Sequence, residues 1–418
     1  MKPLRNLNMT TKSKNIALLF TVVMFSCVPP GLWAAGFRIP DQDAFATARG
    51  EAFAATANNP SAIYYNPAGI TQLEGHNARA GVYGLWLNTS YESPSGGSSD
   101  TEDQLNAVPQ LFYVYTPKQF PLSFGFGLYA PYGLSTEWPE DTGFRSVALE
   151  GELTYITANP VIAWKVLPTL SIAAGPTFNY SEATLRQGIT PFPNNDEFEF
   201  EGDAVDYGFN AGILWQPHPK ISFGVNYRSQ TTMDFDGDTT TRFVIAPPGF
   251  PNFLKLDARA ELEIPQNAVF GISFRPTPKW NFEFNADWTD WDRLNSLQIR
   301  QALPVPATIL NWESSFYYEF GATRYLDKGW SISGGYIFNE NAMPDEHYLP
   351  IVADLDRHFF SVGAGYRANR LGFDVAYQLG YGPTRTVTGS APSPVGQTAD
   401  GEYEFISHAV SVSLSWHF

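Results

Sequence analysis

Reactive side chains are scarce in this chain. The single cysteine is Cys27, and the six histidines include His218 in a turn-like stretch and His417 near the end. None of them falls into a recognisable pattern with a hydroxyl nucleophile and an orienting third group, which covalent hydrolysis needs. Asp234-Phe235-Asp236-Gly237-Asp238 gathers three carboxylates in five residues. It lacks the ligand spacing and closing glutamate of an EF-hand, so a polar strand end is the better reading. A Gly-rich phosphate loop of the Walker type is also missing, which argues against a nucleotide-driven step. No catalytic residue, metal site or cofactor is therefore assigned. The conspicuous cluster is apolar: Phe243, Val244, Ile245, Phe250, Phe253 and Leu254 surround Pro247-Pro248 in a stretch that otherwise reads as a loop. Apolar groups in an exposed loop mark a contact surface, either for a small hydrophobic molecule or for neighbouring loops.

The elements that would carry such a loop are strands. Fourteen alternating or strongly apolar stretches divide residues 78–418. Short turns fall at 116–121, 167–169, 217–220, 276–279, 326–329 and 368–370, and they alternate with long polar connectors at 92–105, 135–148, 188–202, 237–254, 292–315, 339–354 and 383–401. Outer-membrane barrels have an even strand number, short turns at one end and long loops at the other. A soluble sandwich has no reason to sort its loops in this way. The fold class read from the sequence is all-β: a transmembrane antiparallel β-barrel of 14 strands over 78–418, with an N-terminal plug (hatch) in its lumen over 35–77.

Residues 1–34 read as a signal peptide. Lys2, Arg5, Lys12 and Lys14 precede an apolar run from 16 to 28 and then Leu32-Trp33-Ala34-Ala35, with cleavage expected between Ala34 and Ala35. That run is too short for a spanning helix, and no later stretch is long and apolar enough, so membrane residence must use strands. Met24-Phe25-Ser26-Cys27 is a loose match to a lipoprotein processing site and the weaker alternative. The localisation implied is the outer membrane of a Gram-negative bacterium. Without the four leader cations, 22 basic residues face 42 acidic ones, a net charge of −20, which excludes nucleic acid as a natural partner. Asp100-Thr101-Glu102-Asp103 and Asp196-Glu197-Phe198-Glu199 lie in the expected long loops. They read as a solvated exterior face, or as a surface bridged to anionic lipopolysaccharide by divalent cations.

The last strand shows the two-faced pattern most clearly. Val410, Val412, Leu414, Trp416 and Phe418 alternate with Ser411, Ser413, Ser415 and His417, so one set faces lipid and the other the lumen. The terminal phenylalanine resembles the signal by which outer-membrane proteins are handed to the barrel-assembly machinery. In other strands Arg228, Glu283, Asp287 and Asp374 alternate with apolar residues and are expected to join an inward hydrogen-bonded network. Eight strands fill their own interior, whereas sixteen to eighteen leave a water channel, so fourteen need an occupant. Residues 43–57 are alanine-rich and helix-prone, and Asn59-Pro60 suits the start of a second short helix. Phe37, Ile39, Phe45, Phe53, Ile63, Tyr64, Tyr65, Ile70 and Leu73 argue that this segment packs inside and is not a periplasmic tail.

The plug ending in Asn66-Pro67-Ala68-Gly69 before a fourteen-strand pattern resembles the FadL family of outer-membrane transporters for long-chain fatty acids and other hydrophobic compounds. Further points of likeness are Ala35-Gly36-Phe37, Tyr132-Gly133-Leu134-Ser135-Thr136-Glu137-Trp138, Tyr227-Arg228-Ser229 before Asp234-Phe235, Trp288-Thr289-Asp290-Trp291 and Asp354-Leu355-Asp356-Arg357. The resemblance implies passive transport: capture on external loops, transfer to a lumenal site against the plug, and lateral exit through an inward kink in the third strand. In this chain the kink matches Pro131, Tyr132 and Gly133. Proline and glycine independently weaken a strand there, although the strand could simply end at that point. The capture surface would be the loop with Phe243, Ile245, Phe250, Phe253 and Leu254, and the resemblance places basic headgroup contacts near Arg186 and Arg300. One departure concerns the connector at 188–202, which is short and acidic where fatty-acid members carry a longer helical segment. The alternative substrate is therefore an aromatic hydrocarbon on the same fold. A general porin or an outer-membrane lipase is the less favoured function.

Overall fold

The computed structural model describes residues 36–418, so the expected leader lies outside the described residues. The barrel strands are β1 (Gly75–Glu92), β2 (Gln104–Thr116), β3 (Leu122–Glu137), β4 (Glu150–Leu167), β5 (Leu170–Gly188), β6 (Glu197–His218), β7 (Ile221–Arg228 and Thr231–Arg242) and β8 (Phe253–Ile264 and Asn267–Phe274). They continue as β9 (Trp280–Thr289), β10 (Ser315–Tyr325), β11 (Trp330–Asn339), β12 (Arg357–Arg367), β13 (Leu371–Val387) and β14 (Gly401–His417). Each pairs antiparallel with its sequence neighbours, and β1 closes on β14 from Asn77↔His417 to Glu92↔Glu402, giving a closed 14-strand barrel. Closure gives every strand a neighbour on each side, as strands that cross a membrane require.

Alternation in the sequence becomes a two-faced wall. In β14, Leu414 is 62 % exposed while Ser411 is fully buried, so the apolar set faces lipid. Arg228, Glu283, Asp287 and Asp374 are all buried on the lumenal side. They meet residues 36–74, which fill the lumen as a plug. Glu283 accepts from the Ala55 N–H at 2.7 Å and pairs with Arg49 at 3.4 Å. Arg79 of β1 binds both Asp43 and, at 2.8 Å, Asp374 of β13. The Ala44 N–H donates to Ser413 Oγ at 3.1 Å. Plug and wall also meet backbone to backbone: a Cβ on Gly335 of β11 would lie 2.0 Å from the Gly50 nitrogen.

The expected helix over 43–57 shrinks to one turn, α1 (Ala44–Thr47), capped by Asp43. Gly50 and Glu51 follow in the left-handed region, at φ +58° and +57°, where a helix cannot continue. The second helix, α2 (Ala62–Tyr65), starts after Ser61 and not at Asn59-Pro60, because the Asn59 side chain accepts from the Ser61 N–H at 2.8 Å and forms the preceding turn. β1 begins at Gly75, three residues before the expected boundary. The long connectors at 188–202 and 237–254 contract to 189–196 and 243–252, since β6, β7 and β8 run further outward. Beyond the hydrocarbon band both faces of a strand can be polar, so ladder pairing persists where the period-two apolar signal fades. Asp234–Asp238 accordingly lies within β7.

Candidate functional site

β3 is joined to β2 only from Leu111↔Leu128 to Tyr115↔Phe124. From Gln104 to Gln110 β2 pairs with β1 alone, and the outer part of β3 pairs with β4 alone. That second pairing shifts by one residue between Tyr129 and Tyr132. Pro131 sits in this bulge, and proline has no N–H to give to a ladder. The result is a gap in the wall, bordered by a free edge of β3.

The first residues of the plug occupy that edge. Arg38 forms an antiparallel bridge with Tyr132. The Ile39 N–H donates to Pro131 O at 2.8 Å, and the Gly133 N–H donates to Phe37 O at 2.9 Å. The Gln42 side chain completes the pairing, donating to Ala130 O at 2.8 Å and accepting from Ala130 N at 3.3 Å. Arg38 is fixed in turn by β9: its guanidinium donates to Asp287 at 2.8 and 2.5 Å and to Thr289 Oγ1 at 2.9 Å. Such bidentate, charge-assisted geometry fixes orientation as well as distance. Gly36 has φ +58°, and a Cβ there would lie 2.4 Å from the Trp291 ring. Its N–H donates to Asp354, which also accepts from Ala342 N at 2.6 Å. Burial pushes the Asp354 carboxyl above its ordinary value, with Arg357 pulling the other way.

Behind this plug strand lies an apolar cavity of about 70 Å³. Its wall is formed by Leu134 of β3, Leu153 of β4, Leu185 of β5, Phe200 of β6, Phe235 of β7 and Leu262 of β8, with Leu294, Trp312 and Ile351 from the outer loops and Phe37 from the plug. Phe37 packs edge-on to Trp291 at 4.9 Å and lies 5.9 Å from Tyr132, so one ring belongs to both the cavity and the sealed gap. Among the described residues no Lys, Arg or His lines the cavity, and the one charged residue there is Glu152. Ligand pockets usually offer roughly 300–1,000 Å³. A long hydrophobe therefore fits only if the plug strand or the loops move.

The sequence-predicted residues fall elsewhere. Phe243, Ile245 and Phe250 lie in the β7–β8 loop, where Ile245 is 88 % exposed, Phe253 and Leu254 begin β8 beside it, and none of the five lines the cavity. Arg186 stands in register with Glu150 and Glu199, on strand positions that alternate with the cavity-lining Leu185 and Phe200. Its guanidinium pairs with Glu137, Glu140 and Glu150 at 2.9, 2.9 and 2.6 Å. Arg300 is exposed and 3.5 Å from Glu261. Pro131, Tyr132 and Gly133 lie at the gap. Asn66, Pro67, Ala68 and Gly69 are buried, and the Asn66 amide donates to Ala54 O at 2.8 Å and to Ile213 O of β6 at 2.9 Å, tying plug to wall. Sequence reasoning missed Leu134, Leu153, Phe200, Phe235 and Leu262. The available signal was apolar residues at inward positions on the outer halves of these strands, where the polar-inside rule fails.

Comparison with known proteins places this geometry. The family model described as outer membrane protein transport protein (OMPP1/FadL/TodX) matches residues 25–418. The chain belongs to this family. Among FadL-family relatives it is 23 % identical to the long-chain fatty acid transport protein of Escherichia coli O6:H1 over 385 residues, covering 81 % of this chain and 84 % of that one. It is 25 % identical to the 47 kDa outer membrane protein of Pasteurella multocida over 341 residues, covering 75 % and 79 %. The fold is shared with a Pseudomonas aeruginosa FadL homologue (TM-score 0.81, 19 % identity, 91 % of this chain and 99 % of that one). It is shared also with the Pseudomonas putida toluene transporter TodX (TM-score 0.72, 15 % identity, 92 % and 100 %).

Proposed function

We propose that this outer-membrane protein carries hydrophobic molecules passively across the outer leaflet and releases them sideways through the gap between β2 and β3. The observation that carries the reading is the position of Phe37, which lines the apolar cavity while its carbonyl holds the unpaired edge of β3. Filling the cavity and freeing the gap thus involve one segment. The exposed β7–β8 loop with Phe243, Ile245 and Phe250, and Phe253 and Leu254 where β8 begins, supports a role in first capture. Pro131, Tyr132 and Gly133 form the lateral gate, and Asn66-Pro67-Ala68-Gly69 anchors the plug while the gate opens. Lateral release is favoured energetically, since each buried methylene is worth about 0.8 kcal/mol and a sixteen-carbon tail passing through water would forfeit on the order of 10 kcal/mol. Phe418 at the end of the lipid-facing row of β14 supports recognition by the barrel-assembly machinery, and the acidic outer rim supports cation-bridged contact with lipopolysaccharide.

The substrate is a long-chain fatty acid or an uncharged aromatic hydrocarbon, and the cavity without a basic lining residue favours the second. Uptake of labelled fatty acid and of alkylbenzene, measured in parallel in cells lacking their own transporter, separates the two. Arg186 and Arg300 are the cations proposed to meet a carboxylate, and Arg186 would have to leave its glutamates. Fatty-acid uptake lost on replacing both means a carboxylate is bound there; alkylbenzene uptake alone means a hydrocarbon route. A disulfide pinning residues 37–39 to β3 should stop either, and full uptake through such a pinned barrel would sink the lateral route.

A further inference from the structure

The gap between β2 and β3 is closed at both ends. Outward of Leu111↔Leu128, where the ladder stops, the two segments meet again: the Glu102 N–H donates to Glu137 O at 2.9 Å, and the Ser135 hydroxyl donates to Gln104 Oε1. Nine positions separate Glu102 from Leu111 and Leu128 from Glu137, so the segments stay in step across the break. The lateral opening is thus a framed window, roughly 20 Å long at about 3.3 Å per residue. Its β2 side runs from Leu105 to Gln110, and Asn106 stands level with Gly133, whose N–H is held by Phe37 O.

Asn106 is at odds with its surroundings. Asn106, Val108 and Gln110 are the buried, lumenal set of this stretch, and they alternate with a face on which Leu105 is 74 % exposed. Gln110 donates to Asp41 O of the plug at 3.3 Å. Asn106 is 1 % exposed, yet neither its amide nitrogen nor its amide oxygen has a hydrogen-bond partner among the described residues. Leu85, directly opposite on β1, and Val108, next along the same face, join Phe37, Tyr132 and Leu134 in one apolar cluster. A buried amide without bonds lowers the stability of the resting protein, and leucine, similar in volume, would pack there without that cost. What the amide offers is a neutral donor and acceptor beside the segment that must move when the window opens.

The chemistry of a single amide narrows the passenger. An ionised carboxylate has acceptors only and sets one of them against the amide oxygen. A pure hydrocarbon leaves both amide atoms unbonded, and a hydroxyl meets one at a time. An uncharged carboxyl group or a primary carboxamide presents a donor and an acceptor side by side, the complement of the Asn106 amide. We infer that Asn106 determines specificity at the lateral window by pairing with such a headgroup, so that the preferred passenger is a hydrophobe ending in a neutral carboxyl or carboxamide. Among the described residues no cation lines the apolar cavity, which counts against the ionised acid and not against the neutral one. The inference rests on the lateral passage proposed above and names the headgroup it favours. Asn106 is reached only after residues 37–39 leave β3.

The test compares labelled decanamide, which does not ionise and has both groups, with labelled methyl decanoate, which accepts but cannot donate. Uptake at equal, low concentration is measured in cells lacking their own transporter, and uptake by cells without this protein is subtracted. The native protein should carry the amide faster than the ester by about tenfold or more. Asn106→Leu should bring the two rates within about twofold of each other, and its melting temperature should equal or exceed native because an unbonded buried amide is lost. Should the leucine variant fail to fold, Asn106→Ala decides on the same ratio. Equal native rates overturn the inference and leave the passive lateral route standing, and so does a preference that survives the substitution. A leucine variant that folds but melts well below native means that the amide is bonded in the resting protein, which also overturns it. Uptake of neither probe by a correctly inserted barrel overturns this inference together with the reading beneath it.

Discussion

Replacing Asp287 with leucine should unseat the start of the plug while leaving the barrel whole. In the native protein residues 37–39 are held by two backbone hydrogen bonds to β3 and by the bidentate contact of buried Arg38 with Asp287. The backbone bonds contribute about 1 kcal/mol each. Removing one partner of a buried ion pair costs about 3–5 kcal/mol, because the other charge is left uncompensated. At about 1.4 kcal/mol per factor of ten, the detached state should become more populated by roughly two to three and a half powers of ten. Amide hydrogen exchange reads this directly, since the N–H groups of Ile39 and Gly133 are protected only while the plug strand is docked. Peptides covering 36–42 and 129–135 should exchange faster by that factor, and peptides from β10 and β11 should not change. The double variant Arg38→Met with Asp287→Leu removes both charges, and hydrophobic replacement of a buried pair is often neutral or better, so exchange should return to within tenfold of native. Unchanged exchange in Asp287→Leu would refute the assignment of Arg38 as the latch, as would a double variant that exchanges as fast as the single one.

Other perturbations follow from the same contacts. Gly36→Ala places a Cβ against Trp291 at a left-handed backbone position and should destabilise the docked plug strand by about 1–2 kcal/mol from the backbone alone, seen as faster exchange at 36–42. Asn66→Ala leaves the carbonyls of Ala54 and Ile213 without that donor and should lower stability by about 1–3 kcal/mol, measured as a lower urea midpoint followed by tryptophan fluorescence. Leu262→Trp puts an indole into a cavity of about 70 Å³. Uptake of a hydrophobic substrate should fall several-fold while the melting temperature stays close to native.

The barrel was legible in the sequence because its physics is local. The row Val410, Val412, Leu414, Trp416 against Ser411, Ser413, Ser415 repeats every two residues, and the short turns announce themselves with Pro, Gly, Asn and Lys. Plug burial was legible from its aromatic content. The plug's internal structure was not, since its single-turn helices are set by contacts with the wall hundreds of residues away, such as Glu283 on Ala55 and Gly335 against Gly50. The cavity escaped for a related reason: Leu134, Phe200 and Phe235 come from separate strands, and only the closed barrel brings them together. The loop cluster from Phe243 to Leu254 drew attention because exposed apolar residues are visible in sequence, whereas buried ones on inward positions look like ordinary strand. Arg186 could be placed near the rim, but its glutamate partners depend on cross-strand register, which no single segment encodes.

The bond from Ala44 to Ser413 spans 369 residues, nearly the whole described chain. The first helix of the plug, synthesised early, is thus tied to the final strand, and the same strand supplies the seam with β1. A nascent barrel lacking β14 is both open and short of one plug fastening, so sealing the ring and completing the hold on its own beginning become a single late event. Shortening the chain at its end would therefore do more than remove one stave from the wall: it would also take away one of the ties that hold the stopper in place.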